Sequence, residues 1–222
     1  MPTLHRFMIH LKVFTCQAFA ENTYLIWDDT KQGIVVDPGF YEKDEFELFD
    51  AFIASQQISL TQIVATHCHV DHVLGAWKLS QTYQIPFLIP ENEKQVLQSV
   101  KVYAPMYGFH LYQPAEPYGY LIAGHEISVG KEHASILAVP GHSPGHVAFY
   151  FKDSHTLIAG DVLFRESIGR TDLPGGNFET LIASIYNKLF TLPDSVTVYP
   201  GHGPETTIGY EKQYNPFCAL AR

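Results

Sequence analysis

The stretch Ala65-Thr66-His67-Cys68-His69-Val70-Asp71-His72 decides how this chain is read. It follows an apolar, β-branched run and leads into a helical pattern, so three histidines and an aspartate stand together at a strand-to-helix junction. Alternate residues of an extended segment share a face. His67 and His69 can therefore hold one ion, while Asp71 and His72, turning into the helix, aim elsewhere. One motif can serve two metals.

Three distant segments repeat a single design. Val139-Pro140-Gly141-His142, Ile158-Ala159-Gly160-Asp161 and Val198-Tyr199-Pro200-Gly201-His202 each run from an apolar strand through a glycine to a metal-ligand side chain. Hydrophobic strands alone would not deliver His67, His69, Asp71, His72, His142, Asp161 and His202 to one sheet edge. Neutral imidazoles suit Zn²⁺ or Fe, and a shared carboxylate offsets two dications held close together.

Around these segments the periodicity alternates between sheet and helix. Phe7 to Thr15, Thr23 to Trp27 and Gly33 to Asp37 read as opening strands. Glu42 to Gln56 then places Phe46, Phe49, Phe52 and Ile53 on one helical face. Gln62 to Thr66 and Pro86 to Ile89 read as strands, Val73 to Tyr83 and Glu91 to Tyr103 as helices. Tyr103 to Tyr120 has no clean period; its Tyr103, Met106, Tyr107, Phe109 and Tyr112 suit either a cleft mouth or loop aromatics pinned to the core. The second half repeats the order: sheet from near His125 through Ser135 to Val139, Val147 to Phe151 and Thr156 to Ala159, then helix Asn177 to Leu189, strand Val196 to Tyr199 and helix Thr206 to Gln213. Two sheets between helical layers follow, an α/β fold.

Composition narrows the function classes. The 222 residues hold 14 Lys+Arg against 23 Asp+Glu, a formal charge of −9, so no basic face for nucleic acid is expected. No window approaches the ~18–20 apolar residues of a membrane span. Met1 to Thr15 is interrupted by His5, Arg6, His10 and Lys12 and reads as no signal peptide. Cys16, Cys68 and Cys218 are too widely spaced for a disulfide framework. One domain spanning residues 1–222, in the cytoplasm, is the expectation. Cys68 alternates away from its histidine neighbours and reads as packing.

His67-x-His69-x-Asp71-His72, followed in order by His142, Asp161 and His202, resembles the metallo-β-lactamase superfamily over nearly the whole chain. That resemblance implies a four-layer αββα sandwich of two mixed sheets. Pro140-Gly141-His142-Ser143-Pro144-Gly145-His146, Ile168-Gly169-Arg170-Thr171-Asp172 and Gly201-His202-Gly203-Pro204-x-Thr206-Thr207 resemble the single-domain, glyoxalase II-like hydrolases. The family pattern implies that His67, His69 and His142 bind one divalent ion, that Asp71, His72 and His202 bind the second, and that Asp161 bridges both. Zinc is expected, with iron or manganese as alternatives. Water trapped between two such ions loses its proton near neutrality, giving a metal-bridging hydroxide as the nucleophile, with Asp71 as the catalytic residue that orients it or shuttles a proton.

The expected reaction is hydrolysis of a small-molecule hydroxyacyl thioester. The alternatives are a lactonase and a mononuclear iron persulfide dioxygenase built on His67, His142 and Asp161. The chain stops at Arg222, so the C-terminal helical domain of glutathione-specific relatives is expected to be absent. Among supporting residues, Asp37 is expected to brace the metal loop, Ser143 to be a turn hydroxyl, and Arg170 to pair with Asp172. His146 suits either a place behind the ligands or the core. His5, His10, His110, His125, His133 and His155 read as surface residues.

Overall fold

The computed structural model describes residues 8–220. His5, Arg6, Phe7 and Arg222, on which some of the expectations above fall, lie outside the described residues. β1 (Ile9–Thr15), β2 (Asn22–Asp28) and β3 (Gln32–Val36) form an antiparallel meander. α1 (Lys43–Gln56) buries Phe46, Phe49 and Ile53 and returns the chain to β4 (Ser59–Val64), parallel to β3. α2 (Ala76–Tyr83) leads to β5 (Phe87–Pro90), and α3 (Lys94–Tyr103) towards β6 (Gly119–Leu121), both strands parallel to their predecessors.

The second sheet begins with three antiparallel hairpin-linked pairings: β7 (Glu126–Val129), β8 (Glu132–Ala138), β9 (Val147–Phe151) and β10 (Thr156–Gly160). A two-stranded ribbon, β11 (Leu163–Phe164) and β12 (Ser167–Ile168), projects from its end. α4 (Phe178–Ser184), extended by a wide π-helical turn over Ile185–Leu189, then carries the chain to β13 (Thr197–Pro200), parallel to β10. β14 (Thr206–Thr207) and α5 (Ile208–Tyr214) follow. The two mixed sheets have strand orders β1-β2-β3-β4-β5-β6 and β14-β13-β10-β9-β8-β7.

Period-two alternation builds three core layers from these strands. Tyr24, Ile26, Ile34 and Val36 face Ile136, Phe149, Phe151 and Ile158 between the sheets. Their neighbours Leu25, Trp27 and Val35 turn outward onto α1 to α3. Ala148, Tyr150, Leu157 and Val198 do the same against α4 and α5. Strands buried on both faces read as continuous apolar runs, and truncating one central ring such as Phe149 to alanine costs about 3–5 kcal/mol. The result is the four-layer αββα sandwich with mixed sheets.

Several boundaries differ from the sequence reading. β4 ends at Val64 instead of Thr66, because the Thr66 N–H leaves the ladder and donates to Asp37 Oδ1 at 2.6 Å. The helix read from Val73 begins at Ala76, after one tight turn over Val70–His72. The helix read from Thr206 begins at Ile208: Thr206 and Thr207 pair with β13, and Thr207 then caps α5 by accepting the Tyr210 N–H. β6, β11, β12 and β14 are too short to show a period in sequence. Among the described residues, no helix is long and apolar enough to cross a membrane.

Candidate metal centre

The ligand-type residues follow the C-terminal ends of four strands: β4 for His67 to His72, β8 for His142, β10 for Asp161 and β13 for His202. Glycines let these ends converge. Gly160 takes φ +53°, and a Cβ there would run into the Thr66 hydroxyl and the His146 ring. A Cβ on Gly201 would collide with Asp161 Oδ1 and the His72 ring.

His67, His69 and His142 meet in one place. His142 Nε2 lies 2.8 Å from His69 Nδ1 and 3.2 Å from His67 Nε2. Their far nitrogens are already committed: His142 Nδ1 donates to the Arg170 carbonyl at 2.8 Å, and His67 Nδ1 lies 3.0 Å from the Thr66 hydroxyl, which itself donates to Asp37. Those partners leave Nε2 lone pairs facing inward, the arrangement that outer partners impose on metal-binding histidines. Burial, and then the neighbouring histidines, hold His67 well below the usual imidazole range; burial and His142 bring His69 to about 4. His67 and His69 are therefore neutral, and a cation would relieve the crowding of the three converging nitrogens.

Asp71, His72 and His202 form a second group whose donor atoms lie within 4.8 Å of one another. His202 Nε2 stands 3.2 Å from Asp71 Oδ2, and His72 Nε2 3.8 Å from the same oxygen. Burial alone would lower both histidines, but Asp161 and Asp71 raise His72 well above its usual value and raise His202 to about 10. Asp161 stands between the groups: Oδ1 is 3.5 Å from His72 Nε2, and Oδ2 is 3.5 Å from both His142 Nε2 and His202 Nε2. Burial would raise its carboxyl, yet the neighbouring His72 first, then His202, hold it well below the carboxylate range. A third group, Asp37 with His67 and His72, is also compact, but both Asp37 oxygens already accept from Thr66 at 2.6 Å.

The donor set fits metal ions on its own chemistry. Asp161 Oδ1 and His72 Nε2 are buried without a hydrogen-bond partner, and an unpaired buried polar atom is costly. A cation shared at Asp161 would satisfy both.

Buried polar side chains brace the ligand-type residues from behind. Asp37 Oδ2 lies 3.2 Å from His72 Nδ1, the supporting place expected for it. His146 Nε2 accepts the Asp161 N–H at 3.0 Å, and its ring stacks on His67 at 4.6 Å, so it belongs behind the ligands. Two braces were not read from the sequence. Glu93, fully buried, accepts from the Cys68 N–H, the Ser143 hydroxyl and the Gly145 N–H at 2.9, 2.6 and 2.6 Å. Glu21, also fully buried, accepts from the Thr23 hydroxyl at 3.0 Å and lies 3.8 Å from His72 Nδ1. Glu21 abuts a strand and Glu93 starts a helix, where acids are ordinarily solvated; only an apolar context around an acid would have hinted at either.

Residues 17–202 match the family model described as the metallo-beta-lactamase superfamily. The chain belongs to the metallo-β-lactamase superfamily. It is 40% identical over 195 residues to "Probable metallo-hydrolase YqgX" of Bacillus subtilis, covering 87% of this chain and 90% of the relative. It is 36% identical over 211 residues to "Hydroxyacylglutathione hydrolase GloC" of Haemophilus influenzae, covering 94% and 98%. The solved structure of TTHA1623 in a di-iron-bound form superposes with a TM-score of 0.83 at 33% identity, covering 93% of this chain and 99% of that one.

In this superfamily member His69, Asp71, His142, Asp161 and His202 floor a cleft of about 1000 Å³ that also reaches Phe19, Tyr103, Tyr107 and Leu173, while His67 and His72 are fully buried. The loop aromatics divide: Tyr103 and Tyr107 line the cleft, Phe109 and Tyr112 pack on the core, and Met106 projects into solvent. Cys68 is buried in the core cluster that includes Ala76 and Leu79 of α2, as the packing reading had it. Arg170 and Asp172 pair through two hydrogen bonds of 2.7 and 2.8 Å. His110, His125, His133 and His155 are exposed, while His10 is half-buried, stacked on Trp27 and bonded to Asp29.

Proposed function

We propose that this chain is a metal-dependent hydrolase of glyoxalase II type, a thioesterase acting in the cytoplasm on a small-molecule hydroxyacyl thioester. In this reading His67, His69 and His142 hold one divalent ion, Asp71, His72 and His202 hold a second, and Asp161 lies between them. The convergence of seven metal-ligand side chains, five of them at the cleft and His67 and His72 fully buried, with Asp161 facing both groups, carries the proposal. Similarity to a hydroxyacylglutathione hydrolase supports the reaction class. The di-iron-bound neighbour supports two ions and makes iron a candidate beside zinc and manganese.

The candidate protein nucleophiles are occupied. Burial first, then Glu93 and Asp37, push the Cys68 thiol well above its usual value, and the Ser143 hydroxyl is held by Glu93. Water is the attacking group in this reading. When bound, the ions supply Lewis acidity towards a carbonyl oxygen and lower the pKa of water. Asp71 is partly exposed at the cleft floor beside His202, where its carboxylate orients water and holds its proton. A thiolate leaving group needs little protonation.

The test pairs thiol release from thioesters with oxygen uptake on a persulfide, using metal-loaded wild type, His72→Ala and His202→Ala. Thiol release should fall at least ~100-fold in both variants. Persulfide-dependent oxygen uptake that persists in His202→Ala overturns the hydrolase reading and favours the mononuclear iron alternative.

A further inference from the structure

The turn between β1 and β2 holds two consecutive non-glycine residues in the left-handed region, Phe19 at φ +57° and Ala20 at φ +54°. Left-handed backbone is costly for a residue with a bulky side chain, and glycine or asparagine would occupy such a position with less strain. The turn is held in place from several sides. The Cys16 N–H donates to the Glu21 carbonyl at 2.7 Å, the Gln17 N–H to Glu45 Oε1 at 2.7 Å, and the Asn22 N–H to the Gly201 carbonyl at 2.7 Å. Strain over-determined by its surroundings points to use of the strained residue.

Phe19 does two things in this position. Its carbonyl accepts from His202 Nδ1 at 3.1 Å, which turns Nε2 of that histidine towards Asp71 and Asp161. Its ring, 51% exposed, lies on the cleft edge, packed edge-on to Tyr107 at 5.7 Å and against Phe109 at 5.8 Å. Any residue could supply the carbonyl. The strain is therefore explained by the ring, which meets Tyr107, itself packed on Tyr103 at 6.0 Å, on one wall of the cleft.

We infer that Phe19 is a specificity-determining residue whose ring, with Tyr103 and Tyr107, binds an apolar acyl chain, so that the site favours thioesters of longer aliphatic acids over the shortest ones. This rests on the hydrolase reading for the identity of the entering group. It goes beyond that reading by making the wall select for acyl-chain length.

The test is a series of acetyl, butanoyl and hexanoyl thioesters of N-acetylcysteamine, with the matching amides as uncleaved ligands for calorimetric binding to the metal-loaded protein. A fully buried methylene is worth roughly threefold to fourfold in affinity. In wild type, kcat/KM and amide affinity should both climb by several fold from acetyl to hexanoyl. Phe19→Gly keeps the carbonyl and relieves the left-handed backbone, so it should melt at or above the wild-type temperature, retain its metal content, and lose most of the dependence on chain length. Wild type with no chain-length dependence overturns the inference, as does Phe19→Gly with the wild-type dependence. Loss of metal in that variant alongside the dependence also overturns it, because the effect would then arise at the ligands. If no thioester is cleaved, the hydrolase reading fails, while the amide affinities still decide the role of the wall.

Discussion

The Glu93 carboxylate and the Ser143 hydroxyl meet at 2.6 Å, fully buried, and join the two loops that carry His67, His69 and His142. The same carboxylate takes the Cys68 N–H from one loop and the Gly145 N–H from the other. It thus fixes the separation of the loops, and with it the geometry of the histidine trio. Glu93→Gln places an amide NH₂ where one carboxylate oxygen accepted, leaving a buried donor unmatched. Affinity of the trio for zinc should fall about 10–100-fold, measured by competition with a chromophoric chelator; unchanged affinity would show that the brace does not set the site.

Asp161→Asn removes the charge that faces both groups. Metal analysis after dialysis should find both ions weakened together, since Asp161 lies 3.5 Å from His72 on one side and from His142 on the other. A variant that keeps one ion at full strength would refute the bridging role.

Loading should be unequal in protons. In the metal-free protein His67 and His69 have depressed pKa values and are already neutral at pH 7.5, while His202 is raised to about 10 and still carries a proton, and Asp161 and Asp71 raise His72 well above its usual value. Ligation requires a neutral imidazole, so filling the trio should release fewer protons than filling the Asp71-His72-His202 group. Calorimetric titration in buffers of different ionisation enthalpy measures this directly. More protons released on loading His202→Ala, which keeps the trio, than on loading His142→Ala, which keeps the other group, would contradict the assignment.

Gly201→Ala tests the close approach of β13 to the site. A Cβ there meets Asp161 Oδ1 and the His72 ring, so the substitution should expel metal from the second group. The far-UV circular dichroism should stay unchanged, because the residue lies beyond the end of the strand. Full metal content would show that the loop yields at little cost.

The elements that bring the ligand-type side chains together are written in local sequence. Strand and helix periods are local properties, and an apolar strand ending in glycine and then His or Asp is written in consecutive residues. Hence His67, His69, Asp71, His72, His142, Asp161 and His202, and the layered α/β order, were legible without coordinates. Elements of two or three residues, β6, β11, β12 and β14, carry no readable period, and tertiary pairing alone made them strands. The braces were likewise decided by the fold. Glu93 is separated from Cys68 by 25 residues and from Ser143 by 50, and nothing local distinguishes a buried glutamate from a solvated one. The left-handed turn at Phe19 was hidden for the same reason: its φ is imposed by contacts with Glu45, Gly201 and His202, while Phe itself disfavours it. Residue type fixes which atoms can ligate, but which lone pairs face inward depends on hydrogen bonds made across the folded chain.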